Sequence, residues 1–373
     1  GSTSVKLRLV EPDGTVSRSR DLEGGTGTTG TAEGRSGGLA DAARSLLEAG
    51  GPVDAVGHRV VHGGADFTAP TVVDGRVRAR LEAVSELAPL HNPPALRAID
   101  ALGTVAPGVP AVACFDTAFH AGLPDEARTY ALPAEWVERW GIRRYGFHGL
   151  SCEWSLRRAA ALVGRPAREL RLAVCHLGGG ASVTAIAGGR SVDTTMGFTP
   201  AEGLVMATRP GDVDPGALAW MAEQGLAASE LVEGLEHRSG LLGLTGGATG
   251  DMRQLLEAAA VDGSGGGVAQ RAVAVYVHRL RGKIASMAAA TGGLDVLVFT
   301  GGVGEHAPSI RAAACSGLAW MGVAVDEERN ASGPAPGGDG DITAAGAAVR
   351  TLVVTAREEL VVAAHCRAAL ARS

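Results

Sequence analysis

Short apolar runs at 53–56, 109–115, 171–175, 294–299 and 349–354 alternate with segments that read as helices, and each run gives way to glycine, histidine or charged residues. A chain with this rhythm folds as α/β, because runs of that length suit strands buried in a sheet that the intervening helices cover. The same rhythm says where function sits. In open α/β sheets, ligands bind beyond the carboxyl ends of the strands, which is where the polar residues of this chain gather. An additional strand is predicted at Val5 to Val10, which alternates apolar and basic side chains before the turn Pro12-Asp13-Gly14. Between Gln270 and Gly292, the residues Val273, Val277, Leu280, Ile284 and Met287 recur at spacings of four and three. They form one apolar stripe of a helix that should pack on a sheet. With 373 residues, 46% of them hydrophobic, the chain is long enough for two lobes, which implies a cleft. Residues 333–340 read as a surface loop, and no internal repeat is visible.

Several function classes are excluded. The net charge of -6 is spread along the chain, with no Lys/Arg run and only 4% aromatic residues, so neither the charge nor the stacking groups for nucleic acid are present. No run approaches the roughly 18 to 20 apolar residues of a membrane span. The N-terminus lacks the cationic and apolar segments of a secretion signal. Five cysteines, at 114, 152, 175, 315 and 366, form no C-x-x-C pair and read as reduced thiols, so a cytoplasmic location is expected. Gly25-x-Gly27-x-x-Gly30 matches a dinucleotide fingerprint but lacks a clear strand before it, and is given no binding role. There is no G-x-x-x-x-G-K-[ST] sequence, which excludes a P-loop NTPase, and no protein-kinase motif set.

Five segments can carry chemistry. Gly57-His58-Arg59-Val60-Val61-His62-Gly63-Gly64 follows the first apolar run and sets an arginine suited to carboxylate or phosphate beside a glycine pair; a surface turn is the alternative. Phe115-Asp116-Thr117-Ala118-Phe119-His120 puts a carboxylate at a strand end, as a Mg²⁺ ligand or as a helix N-cap. Tyr145-Gly146-Phe147-His148-Gly149 flanks a histidine with glycines and rings, for a ligand or for packing. Cys175-His176-Leu177-Gly178-Gly179-Gly180 offers backbone N–H groups to phosphate and leads on to Thr199-Pro200 and Thr208-Arg209-Pro210-Gly211-Asp212, whose arginine could neutralise a transferring phosphoryl group. Phe299-Thr300-Gly301-Gly302-Val303-Gly304-Glu305 is another strand running into glycines, as a nucleotide contact or a tight turn. Several separate glycine-rich turns are also how the actin, sugar-kinase and chaperone-ATPase superfamily handles nucleotides.

Taken together, these segments resemble the acetokinase family of acetate, propionate and butyrate kinases, from the first residues to the last helix. The likeness rests on Val56 to Gly64, Leu90-His91-Asn92-Pro93, Phe115 to His120, Arg143 to Gly149, Cys175 to Pro215 and Phe299 to Glu305. It implies two RNase H-like lobes with a central cleft: 1–117 plus 360–373 on the substrate side, and 118–359 for nucleotide binding and dimerisation. It further implies a homodimer and Mg²⁺-dependent transfer, with Mn²⁺ as an alternative metal, between ATP and a short-chain carboxylate, acetate first. By motif, Arg59, Arg209 and His148 match the residues that clamp the transferring phosphoryl group. Asp116 and Glu358 match the residues that organise the metal. Val61, Leu90, Phe147 and Pro200 match the acyl pocket, and His91 and His176 match further active-site histidines. Lys6, Gly178, Gly179, Gly180, Asp251, Met252, Arg253, Gly301, Gly302, Val303 and Gly304 fall where the family holds the nucleotide. The chemistry agrees, because a carboxylate attacking a phosphoryl group brings two anions together and is already ionised at neutral pH, so cations and positioning suffice without a general base.

The chain departs from the family pattern at identifiable places. Gly1 to Lys6 resembles the first phosphate loop, but the strand and asparagine that precede it in the family are not in this sequence, and 1–58 is shorter than usual. Gly179 stands where the family usually has asparagine, as in butyrate kinases. Cys152, Ala207 and Arg357 replace the usual serine, glycine and asparagine. Two other readings therefore remain open: a kinase for propionate or butyrate, and a catalytically impaired nucleotide-binding regulator on the same fold.

Overall fold

The computed structural model describes residues 4–23, 32–261, 266–334 and 338–372. The glycine fingerprint at 25–30 and the first three residues of the expected phosphate loop lie outside the described residues. By packing, the chain divides into two units. The first holds residues 1–121, 147–154 and 357–373, and the second 122–146 and 155–356. The helix Gly149–Val163 begins in the first and continues in the second.

In the first unit, β1 (Ser4–Val10) and β2 (Val16–Glu23) form an antiparallel ribbon. A separate sheet runs in the order β3 (Val56–Val60), β5 (Ala111–Phe115), β4 (Thr71–Val72), with β3 and β5 parallel. β5 shows the period of two expected of a strand covered on both faces. Ala113 and Phe115 join Val60, Phe67, Leu81, Leu96 and Ile99 on one side, while Val112 and Cys114 join Leu150, Val361, Cys366 and Ala369 on the other. The strand expected at 53–56 starts at Val56 instead, because parallel pairing with β5 begins there, where Val56 N donates to the Pro110 carbonyl at 2.9 Å. Gly57 to Val60 therefore belong to the strand rather than to the turn after it, and this fixes the direction of Arg59.

The second unit has one six-stranded sheet in the order β10 (Gly340–Asp341), β11 (Arg350–Val353), β9 (Val296–Thr300), β6 (Leu172–Leu177), β7 (Ala181–Ala187), β8 (Arg190–Thr194). β6, β9 and β11 are parallel, and β6, β7 and β8 form an antiparallel meander. β9 is buried along its whole length, as a central parallel strand should be. The expected helix spans Gly266–Ala290 and packs on β6, β7 and β8, with Val277, Leu280, Ile284 and Met287 buried and Val273 half-buried.

Candidate functional site

In the first unit, parallel pairing sets Arg59 opposite Cys114, so that Asp116, just past the end of β5, comes alongside the guanidinium. Arg59 Nε and Nη2 donate to Asp116 at 2.9 and 2.7 Å, and Nη1 pairs with Glu358 Oε2 at 2.8 Å, from the first residue of the helix Glu358–Leu370. Burial works against the charge on Arg59, but the two carboxylates more than offset it and raise its pKa. Asp116 is 1% exposed, so its charge is held away from water beside that guanidinium. One cation against two carboxylates leaves a net negative cluster. Among the described residues there is no group of three or more side-chain ligands that would hold a metal unaided. A Mg²⁺ ion, however, ordinarily takes one or two carboxylates and fills the rest of its shell with water and phosphate oxygens, and Asp116 with Glu358 fits that donor set.

Around this cluster the first unit gathers other expected residues. Asn92 Nδ2 donates to the His62 carbonyl at 2.9 Å and Asn92 Oδ1 accepts from His62 N at 3.1 Å, joining the loop after β3 to the turn bearing Leu90 and His91. Val61 and His91 are half-buried there, and Leu90 is exposed. Phe147 is buried, its ring edge-on to His62 at 5.4 Å and its carbonyl 2.9 Å from His120 Nε2. His148 has φ +58°, and is the one non-glycine residue among those described with positive φ. Such a conformation persists only where its surroundings impose it. Here Gly149 N is bonded to the Asp116 carbonyl at 3.0 Å, and a Cβ on Gly149 would run into that same carbonyl, so the chain is pinned against Asp116 immediately after His148. Lys6 is exposed on the ribbon, opposite Asp21 in register.

In the second unit, β6 and β9 are parallel with His176 opposite Thr300, so the glycines after each strand lie at the same end of the sheet. Gly178 N closes a tight turn onto the Gly180 carbonyl at 2.9 Å. Gly301 opens the helix Gly301–His306 at φ +76°, with a Cβ there placed 2.8 Å from the Leu177 carbonyl. Gly302 and Val303 form the exposed and half-buried outer side of that turn, while Gly304 packs against the β9 backbone. Ala207 N donates to the Gly179 carbonyl at 3.1 Å, which brings the segment carrying Arg209 to the glycine turn. Gly250 packs on the Ala207 carbonyl, so Asp251, Met252 and Arg253 start their helix beside the same segment. Asp251 caps that helix through Arg253 N and Gln254 N at 2.9 and 3.1 Å, Met252 is buried and Arg253 is exposed. Arg209 donates through Nη1 to the Pro200 carbonyl at 2.7 Å and makes no ion pair within 4.0 Å among the described residues. Burial lowers its pKa, with only Glu236 acting the other way.

Some supporting contacts carry no sequence signal. Glu305 Oε1 accepts from Gly301 N at 2.9 Å and Ala356 N at 3.0 Å, and buried Arg311 donates to the Gly304 and Glu305 carbonyls at 2.9 Å each. Asn92, Glu305 and Arg311 bind backbone across gaps in the sequence that neither periodicity nor motif spacing reveals.

A sequence model of the acetokinase family matches residues 28–364. The acetate kinase of Heliobacterium modesticaldum is 48% identical over 312 residues, covering 83% of this chain and 77% of that protein. The crystal structure of Porphyromonas gingivalis acetate kinase superposes with a TM-score of 0.87 at 34% identity, covering 99% of this chain and 98% of the other. That of a propionate kinase from Francisella tularensis gives 0.85 at 33%, covering 98% and 96%. The fold is accordingly the α/β fold of two RNase H-like lobes found in the actin, sugar-kinase and chaperone-ATPase superfamily. The match over most of the chain, in sequence and in fold, makes this chain a member of the acetokinase family, phosphotransferases that use ATP to phosphorylate a carboxyl group.

Proposed function

We propose that this enzyme makes acetyl phosphate and ADP from acetate and ATP, reversibly, by direct in-line transfer. The reading is carried by Arg209, a half-buried guanidinium with no carboxylate partner among the described residues, next to glycine turns whose N–H groups suit phosphate. Its charge is left for an anion. In the step itself, a carboxylate oxygen bonds to the γ-phosphorus as the bond to the bridging β-oxygen breaks, and ADP leaves without any proton having moved. Gly178–Gly180 would cradle the phosphates, with Gly301–Gly304 and Asp251 to Arg253 towards the nucleoside and His176 and Lys6 as further phosphate contacts. On the first unit, Arg59, His91 and His148 would orient and neutralise the acid, and Val61, Leu90 and Phe147 would enclose its methyl group. Asp116 and Glu358 would hold Mg²⁺, which offsets the negative charge of the phosphates when bound.

A homodimer belongs to the same reading. The helix Pro215–Glu223 is largely apolar yet has no buried residue, and Trp220 is 60% exposed on it. A cytoplasmic location is supported by the five cysteines, all buried and none in a disulfide.

The test is to trap the acyl phosphate with hydroxylamine while acetate, propionate and butyrate are compared, with and without Mg²⁺ or Mn²⁺. Acetate should turn over fastest, and chelation should abolish turnover. A preference for butyrate would overturn the substrate assignment. ATP binding without hydroxamate from any acid would mark a regulator instead.

A further inference from the structure

Glu202 lies where three segments distant in sequence meet. Its Oε1 accepts from Arg144 Nη2 at 2.6 Å, and its Oε2 accepts from the Tyr130 hydroxyl. Arg144 also donates through Nη1 to the Thr194 and Thr195 carbonyls at 3.1 and 3.3 Å, and the Tyr130 oxygen accepts from Phe198 N at 2.9 Å. Tyr145 N and Gly146 N both donate to the Gly197 carbonyl, at 3.0 and 3.4 Å. A Cβ on Gly197 would run into both the Glu202 carboxylate and the Tyr130 hydroxyl, so only glycine permits this closure. The stretch 194–203 is thus held from within by one carboxylate and its two donors.

That stretch contains Pro200, whose carbonyl receives Arg209. Arg209 itself sits in a loop closed at its base by Gly203 N to Asp212 Oδ1 at 2.9 Å, with Asp212 anchored by Lys283 at 2.5 Å. Arg209 therefore bonds to one carbonyl, and the location of that carbonyl is set two residues away, at Glu202. The arrangement also keeps Glu202 from neutralising Arg209, because Arg144 and Tyr130 already engage both carboxylate oxygens. Burial and the neighbouring carboxylate both raise the pKa of Tyr130, so its hydroxyl remains a donor at neutral pH.

We propose that Glu202, clamped by Tyr130 and Arg144, is a positioning residue that holds the Pro200 carbonyl and through it aims the Arg209 guanidinium. This rests on the phosphoryl-binding role proposed above for Arg209.

The experiment compares Glu202→Gln and Tyr130→Phe with the wild type in two ways. Labelling of arginines by phenylglyoxal, mapped by mass spectrometry, should show Arg209 modified at least about threefold faster in both variants, with Arg59 unchanged. In turnover, kcat should fall about tenfold with KM for ATP within about twofold, and Glu202→Gln should matter less than about twofold in an Arg209→Ala background, since residues that act as a unit are not additive. Unchanged labelling of Arg209 in a folded variant, or the same kcat factor in both backgrounds, overturns the proposal. A lowered melting temperature with wild-type labelling would assign Glu202 a purely structural role, and overturns it equally. Absence of acyl hydroxamate from the wild type would refute the phosphotransfer reading, while the labelling would still decide whether Glu202 positions Arg209.

Discussion

Arg59, on β3 of the first unit, and Arg209, in a loop of the second beside the glycine turn after β6, are both arginines in an acetokinase fold, yet their surroundings are opposite. Arg59 faces two carboxylates, one of them fully buried, whereas Arg209 meets a carbonyl and no carboxylate among the described residues. The difference separates two uses of one side chain. A guanidinium held by two carboxylates is part of the structure that keeps those carboxylates ionised and oriented. One left without a counter-charge keeps its field for whatever anion arrives. From sequence both residues read as anion clamps; Arg59 would meet an acid with two carboxylates already beside it, Arg209 with none among the described residues.

The largest effect that would sharpen this contrast is on stability. Arg59→Ala removes the cation that buried Asp116 shares with Glu358, and breaking such a buried pair costs about 3–5 kcal/mol. Urea unfolding should show that loss, and adding Asp116→Asn should recover a large part of it. Arg209→Ala should behave differently. It removes a half-buried cation with no carboxylate at ion-pair distance among the described residues, so stability should change by less than about 0.5 kcal/mol. Turnover, on the other hand, should fall about 10²–10³-fold, as it does when an anion-stabilising donor is lost. If both variants lost stability equally, the distinction between the two arginines would not survive.

How much of this was readable beforehand follows from where each interaction comes from. β5, β6 and β9 and the helix Gly266–Ala290 were legible because burial imposes a period of two, a continuous apolar run or a period near 3.6, and each is local in sequence. The glycine turns after β6 and β9 were legible for the same reason. The Arg59–Asp116–Glu358 cluster was named residue by residue through family resemblance, but its pairing was not foreseen, since it depends on the register of β3 against β5. Expecting β3 to end before Gly57 hid the fact that Arg59 projects from a strand. Arg144 and Glu202 fall inside stretches that carry the resemblance, but their meeting with Tyr130 left no trace, because a network drawn from separate segments has neither period nor spacing.

A further contrast within the first unit concerns acid. His58 and His120 are buried, and burial lowers the pKa of each to about 4, opposed at His120 by its bond to the Phe147 carbonyl. In the unfolded chain each takes up its proton near pH 6.5. The folded form therefore binds fewer protons between these values, and stability present above about pH 6.5 drains away as pH falls towards about 4, by up to about 1.4 kcal/mol per pH unit for each histidine. Urea midpoints at about pH 7.5 and about pH 5 should differ accordingly, and His58→Gln should flatten the dependence by one proton. Equal midpoints would mean that these imidazoles are not held neutral.

The smallest effects separate the two glycine turns of the second unit. Gly301 has positive φ and a Cβ there would stand 2.8 Å from the Leu177 carbonyl, so Gly301→Ala meets both backbone strain and a rigid neighbour and should cost about 1–3 kcal/mol. At Gly179 no atom lies within 4 Å of a built Cβ, and its φ is not positive. Gly179→Asn, which restores the residue usual in the family, should then leave the melting temperature within about 1 °C, because nothing has to move to admit the side chain. What it should change is the ratio of acetate to butyrate turnover, since the new amide would stand in the turn that we assign to the phosphates. A drop in stability as large as that of Gly301→Ala would show that the turn at Gly178–Gly180 is closed, and that its glycine was selected for backbone shape rather than for the acid it serves.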